Sequence, residues 1–217
     1  MKNIKFYLLA LMIIFILNCK SDSKVVESIS SGNNFPDEYQ DNTYTNHFLN
    51  LTMFFDNDWS LKTDYIHFDS FEKEYADSFN TKDSELLFAG YNETLKSGVR
   101  ATIDKSNLTG DVYFEKLKNA GSSLVSRFKP EYIKTEFIYL DNFMAYQTIM
   151  KVTLNNNNIY IFDSIFFTIS TYNIRLDFWI EERNYEENSN YFYKTYNSIL
   201  FMFDDENLIN KKDQTDD

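Results

Sequence analysis

The chain has 217 residues, 43% apolar, 18% aromatic and 25% charged, which excludes wholesale disorder and supplies enough material for one sizeable core. Its 33 acids against 21 bases give a formal charge of -12, so the attraction that supplies most nucleic-acid affinity is missing and nucleic acid is excluded as an expected partner. With 5 Gly, 2 Pro, 2 His and 1 Cys there is almost nothing from which to build a disulfide framework, a cysteine zinc site or a Gly-rich phosphate loop. At the N-terminus Lys2 and Lys5 precede an unbroken apolar run from Phe6 to Leu17. That run has the length of a signal-peptide core and falls short of the roughly twenty residues that span a bilayer.

The run ends in Ile16-Leu17-Asn18-Cys19, which resembles the bacterial lipobox. The resemblance implies that residues 1–18 are a signal peptide and that Cys19 becomes the lipid-modified N-terminus. It would carry a thioether-linked diacylglycerol and an N-acyl chain such as palmitate. Two or more buried chains anchor stably, at ~0.8 kcal/mol per methylene. Removal of residues 1–18 leaves 33 acids and 19 bases, a charge of -14, so attachment is expected from the lipid at Cys19 and not from a basic face. The implied address is the membrane of a bacterial cell envelope, the outer membrane in a Gram-negative cell.

Residues 19–42 are rich in Ser, Asp and Asn and read as a flexible tether. Within it Lys20-Ser21-Asp22 reads either as an ordinary polar linker or as the charged export signal it resembles in surface lipoproteins of Bacteroidota. Residues 43–203 carry the periodic patterns of one domain, and 204–217 read as an acidic disordered tail. Thr45–Phe55 alternates with Leu49, Leu51, Met53 and Phe55 on one face, as in a half-buried strand, and Asp56-Asn57-Asp58 ends it as a turn. Trp59 follows, as a fold anchor or as a ring of a ligand pocket. Phe71, Tyr75 and Phe79 behind Ser70 predict a short helix. Glu85–Tyr91 and Val99–Lys105 predict two strands joined around Asn92–Gly98. Asp111 is placed to cap a helix with the stripe Tyr113, Leu117, Ala120, Leu124 and Phe128, which Pro130 stops.

Four strand patterns come next: Tyr132–Leu140, Phe143–Leu154, Ile159–Ser170 and Ile174–Glu182. Asp141-Asn142, Asn155–Asn158 and Tyr172-Asn173 are the expected connections of a meander. Phe192, Tyr196, Ile199 and Phe203 mark a closing helix. The expected class is α+β, an antiparallel sheet flanked by helices in a single domain. The Asn46-His47-Phe48-Leu49 opening strand, the Phe54-Phe55-Asp56-Asn57-Asp58-Trp59 unit, and the long helix before a meander that closes in a helix resemble the PsbP/Mog1-like fold over Tyr44–Phe203. The resemblance implies an α/β/α sandwich used as a binding or assembly module, with no shared catalytic site.

Residues for chemistry are few. His47 and His67 are the candidate bases, both in aromatic surroundings, and no Gly-x-Ser-x-Gly elbow places a serine beside either. Ser122-Ser123 falls on the helix pattern. Asp56-x-Asp58-x-Ser60 begins like a calcium loop, but Leu61 stands where glycine is needed and His67 where glutamate belongs. Glu181, Glu182, Glu186 and Glu187 around Arg183 read as a solvated charge run, and no metal or other cofactor is expected. Among 33 acids, coincidental carboxylate pairs abound, so none points by itself to glycan hydrolysis. The aromatics are more suggestive. Tyr160, Phe162, Phe166 and Tyr172 lie along the meander. Arg175, Asp177 and Trp179 fall on the face opposite Ile174, Leu176, Phe178 and Ile180, and Tyr191 and Tyr193 flank the last helix. Core packing is the first reading of these rings, and Trp59, Arg175 and Trp179 are the candidate ligand- or partner-binding residues. The expected function is a non-catalytic binding or accessory module for another envelope component, not an enzyme. The alternatives are a carboxylate-dependent envelope glycan hydrolase and a small-ligand binder.

Overall fold

A computed structural model describes residues 37–56, 58–62, 84–120, 130–153 and 158–201. Cys19, the tether up to residue 36, the helix expected around Phe71–Phe79, His67 and the tail 204–217 lie outside the described residues.

The chain enters through a four-residue strand, β1 (Asp37–Gln40), and turns into β2 (Thr43–Asn46) through Asp41 and Asn42. Both turn residues have positive φ, 50° and 63°, as a two-residue hairpin with the twist of its strands requires. The end of the predicted tether is therefore ordered as a strand. The single strand expected over Thr45–Phe55 is also two elements: β2 pairs with β3 (Leu51–Phe54) across the turn His47–Asn50. Its cause is local. The Asn46 side-chain oxygen accepts the Leu49 amide at 3.0 Å, and Asn50 takes φ 50°. The same device closes the next hairpin, where Asn92 accepts the Leu95 amide at 2.9 Å and Lys96 takes φ 52°.

After Phe55 the chain leaves this small sheet. Beyond the turn at Asp58, β4 (Trp59–Lys62) begins a second sheet with β5 (Ser84–Asn92) and β6 (Ser97–Asp104). Helix α1 (Gly110–Ala120) follows, then the expected meander: β7 (Glu131–Tyr139), β8 (Met144–Thr153), β9 (Ile159–Ile169) and β10 (Tyr172–Glu181). Helix α2 (Glu182–Asn197) and a two-residue strand, β11 (Leu200–Phe201), complete the described chain. The large sheet runs β4-β5-β6-β10-β9-β8-β7 and the small one β1-β2-β3-β11, antiparallel throughout.

Three local expectations are corrected. Tyr172-Asn173 is not a turn: the chain reverses at Ser170, φ 54°, and Asn173 lies buried in β10. There its side-chain oxygen accepts Leu108 N and Ser106 Oγ, while its amide donates to Leu108 O and Thr168 Oγ1. This asparagine is spent on pinning the β6–α1 connection. The closing helix stops at Asn197, so Ile199 is buried beyond it and Phe201 pairs with Leu51. Asp111 sits inside the first turn of α1 and not before it, where its carboxyl is held below its ordinary range chiefly by a hydrogen bond with Thr109.

Both faces of the central strands are covered, and β6 is buried along its whole length. On one face α2 and the small sheet enclose the main core. Phe178 stands at its centre, stacked on Phe192 with centroids 4.5 Å apart, and edge-on to Trp59 at 5.4 Å and Tyr196 at 5.5 Å. Tyr44 of the small sheet reaches Phe88 of the large one at 4.4 Å. Each such ring removed from water contributes about 1.5–3 kcal/mol. On the other face α1 seals a smaller core of Tyr113, Phe114 and Leu117 against Met150, Phe162, Phe166 and Trp179.

Candidate functional site

The strand alternation puts Asn173, Arg175, Asp177 and Trp179 under α1, and Ile174, Leu176, Phe178 and Ile180 in the main core. Registers across the sheet then define a polar row, Thr148–Ser164–Asp177–Arg100, beneath the helix. Asp177 receives Arg100 at 2.8 Å on one oxygen and Arg175 Nε at 2.7 Å on the other, all three groups almost fully buried. Burial pushes the Asp177 carboxyl up, but the Arg175 and Arg100 guanidiniums outweigh it and hold it below its ordinary value. The neighbouring Asp104 takes Lys116 of α1 at 3.4 Å. This layer ties α1 to the sheet.

Under α2 lies a second buried carboxylate of opposite character. Asp163 accepts hydrogen bonds from Gln147 at 2.8 Å, Tyr185 at 2.8 Å and Tyr196 at 3.3 Å, all neutral donors. Burial pushes its pKa up to about 6, against the pull of those bonds and of Lys134. Gln147 also donates to Tyr193 OH at 3.0 Å, which carries the network to the surface.

The outer side of α2 carries the concave surface. A groove of about 730 Å³ is lined by Asp141, Glu187, Asn190, Tyr191, Tyr193, Lys194, Asn197 and Ser198. A second depression of about 220 Å³ is formed by Asp56, Asp58, Asn92, Thr94 and Leu95, and Tyr191 lines it as well. The helix supplies residues three and four apart, 187, 190, 191 and 194, which fall on one face. Tyr193, Asn197 and the capping Ser198 come from the same helix and its end, and β5 with the turns after β3, β5 and β7 supplies the rest. Lys194 bonds Asp56 at 3.2 Å and lies 5.1 Å from the Tyr191 ring centroid. Thr94 donates to Asp58 at 3.4 Å. The two depressions together present two tyrosines, four carboxylates and one ammonium, an arrangement suited to a cationic group lying against a ring.

The three ligand candidates read from the sequence lie elsewhere. Trp59 is 6% exposed in the main core, whereas Arg175 and Trp179, 2% and 1% exposed, are on the opposite face of the sheet. The structure does not bring them together, and none lines either depression. Tyr191 and Tyr193 were visible in the sequence as aromatics flanking the last helix. Asp56, Asp58 and Asp141 were visible as turn residues, the first two also as the start of a calcium-loop pattern that fails, and nothing local ties them to α2. His47 is exposed and pairs with Glu38 at 3.1 Å. Among the described residues no group of three His, Cys, Asp or Glu could hold a metal ion, and no helix is long and apolar enough to cross a membrane.

No protein-family model matches the chain, and no curated protein matches it in sequence. Among solved structures it is similar to the solution structure of cyanobacterial PsbP (CyanoP) from Synechocystis, at 12% identity and TM-score 0.52, over 74% of this chain and 91% of that one. A Bacteroides thetaiotaomicron crystal structure matches at 11% identity and TM-score 0.44, over 71% of this chain and 46% of that chain's length. LpqN, described as involved in cell envelope biogenesis of Mycobacterium tuberculosis, matches at 11% identity and TM-score 0.36, over 69% and 88%. The chain has the PsbP/Mog1-like α+β fold, with its antiparallel sheet between helices.

Proposed function

We propose that this chain is a lipid-anchored protein of the bacterial cell envelope whose α+β domain is a non-catalytic binding module for another envelope component. The anchor rests on the lipobox resemblance at Cys19. The binding reading rests on one observation above the others: Tyr191 is the shared wall of two depressions whose rims are acidic. A groove of several hundred Å³ with half-buried tyrosine rings on its wall and charged groups on its rim has the form of a recognition site. Its balance of charge selects a lysine- or arginine-bearing segment of the partner.

The hydrolase alternative asks for a carboxyl of raised pKa in an open cleft. Asp163, the carboxyl pushed up among the described residues, is sealed beneath α2 and bonded on both oxygens. Binding is accordingly the better-supported reading.

The test is photocrosslinking in living cells, with a photoreactive residue at position 190 of the full chain and a second variant labelled at position 171, on the β9–β10 turn. One envelope protein is expected to crosslink from position 190 and not from 171, and to be lost on Tyr191→Ala or Glu187→Lys. Equal adducts from both positions would overturn the groove assignment. Turnover of an envelope polymer by the purified chain, abolished by a groove substitution, would overturn the non-catalytic reading.

A further inference from the structure

Strand β7 is the last strand of the large sheet, and among the described residues no strand pairs with its outer edge. Such an edge is a template for another chain unless charge, bulges or proline guard it. Here the guards are a bulge between Tyr132 and Lys134, and the charges of Lys134 and Glu136. On either side of those charges the strand exposes apolar side chains: Ile133 is 56% and Phe137 45% exposed.

The order of these residues is self-complementary. The strand reads Glu131-Tyr132-Ile133-Lys134-Thr135-Glu136-Phe137-Ile138-Tyr139. Antiparallel pairing with an identical strand about Thr135 sets Lys134 against Glu136 of the second copy, and Glu136 against its Lys134. On the opposite face Thr135 meets Thr135 of the second copy, and the exposed Ile133 and Phe137 flank that pair. Lys134 and Glu136 share the α2 face, since they pair with Ile149 and Gln147 of β8, so the four charges meet on one side of the joined sheet. Within one copy the two are already an ion pair at 2.6 Å. The neighbouring registers fail on charge. Centring on Lys134 or on Glu136 opposes like charges, and a parallel in-register arrangement stacks lysine on lysine. The bulge falls at Ile133, outside the central three residues, and leaves Lys134–Tyr139 regular.

We propose that β7 pairs antiparallel with β7 of a second copy of this chain, about a two-fold axis at Thr135, continuing the sheet from one molecule into the next. The interface is isologous, so each copy gives the same residues to it. It is separate from the groove on α2 and stands or falls independently of it.

A thiol at the axis tests this. The full chain carrying Thr135→Cys, treated with a short bifunctional maleimide, is expected to give a covalent dimer. The parent chain, with Cys19 alone, and a Ser60→Cys variant at the opposite edge are expected to give none. Adding Lys134→Glu or Glu136→Lys opposes like charges at two places and should lower the dimer yield about tenfold. The double reversal, or a mixture of the two single variants, restores opposite charges and should recover the yield. Circular dichroism confirms that each variant is folded. A Thr135→Cys yield no greater than that of Ser60→Cys would overturn the proposal. So would single reversals without effect, or a folded double reversal that fails to recover the dimer.

Discussion

The indole of Trp179 lies on the bare backbone of Gly98: a Cβ on Gly98 would stand 2.2 Å from the ring carbons Cε2 and Cζ2. The two are directly opposite in the β10–β6 register, and the ring stacks on Phe162 at 5.9 Å beneath α1. Hydrogen at position 98 is therefore what admits a tryptophan to this layer. Gly98→Ala should force the ring from its place and cost about 1–3 kcal/mol. Urea unfolding would show it as a lower midpoint at unchanged slope. Trp179→Leu, which removes the obstructing atoms, should make Gly98→Ala much less costly, so the two effects will not add.

Asp177 holds the two guanidiniums beneath α1 together. Removing its charge while keeping its shape, Asp177→Asn, leaves Arg100 and Arg175 buried beside each other without the carboxylate between them. The expected loss at neutral pH is about 3–5 kcal/mol. Because the folded carboxyl sits below its ordinary value of 3.8, its contribution is fully present above that pH and is lost as the pH falls through the lower folded value. The penalty of Asp177→Asn should accordingly shrink in strong acid. A penalty that stayed constant there would locate the effect in packing and not in charge.

How much of this was legible depended on whether the determinant was local. The meander could be read because each of its strands carries its own alternation, and the division of β10 into a polar and an apolar face followed from period two alone. The β2–β3 turn was missed because Leu49, buried within the turn, continues the alternation of Leu51 and Met53. Strands β1 and β11 were missed because short strands are defined by the partners they find, and β11 finds β3 from the far end of the chain. Trp59 and Trp179 were taken together as candidate binding residues on residue type, and only the register places them on opposite faces. The groove on α2 was half visible. Its tyrosines announced themselves, while three of its four acids come from two turns, after β3 and after β7, that sequence spacing does not relate to α2.

The proposed anchor at Cys19 has a direct consequence. With a charge of -14 once residues 1–18 are removed, the chain has little electrostatic affinity for anionic headgroups, so its membrane attachment should depend on Cys19 alone. In detergent phase separation the parent chain is expected in the detergent phase and Cys19→Ser in the aqueous phase. Retention of the serine variant with detergent would mean that some other part of the chain holds the membrane.

Asp163 should give the fold a pH dependence opposite in sign to that of Asp177. Its folded pKa of about 6 lies above the ordinary 3.8, so between those values the native state holds a proton that the unfolded state has released. The corresponding stability is complete below about pH 4 and is lost as the pH rises through 6. A difference of roughly two units corresponds to ~3 kcal/mol at most. Asp163→Asn keeps a neutral group among Gln147, Tyr185 and Tyr196 and removes the titration. Comparing the two proteins by urea unfolding from pH 4 to 7.5, the parent should weaken relative to the variant across the window and run parallel to it above pH 7. Curves parallel at every pH would mean that Asp163 does not change protonation on folding, and that its three donors hold the charge as well as water does.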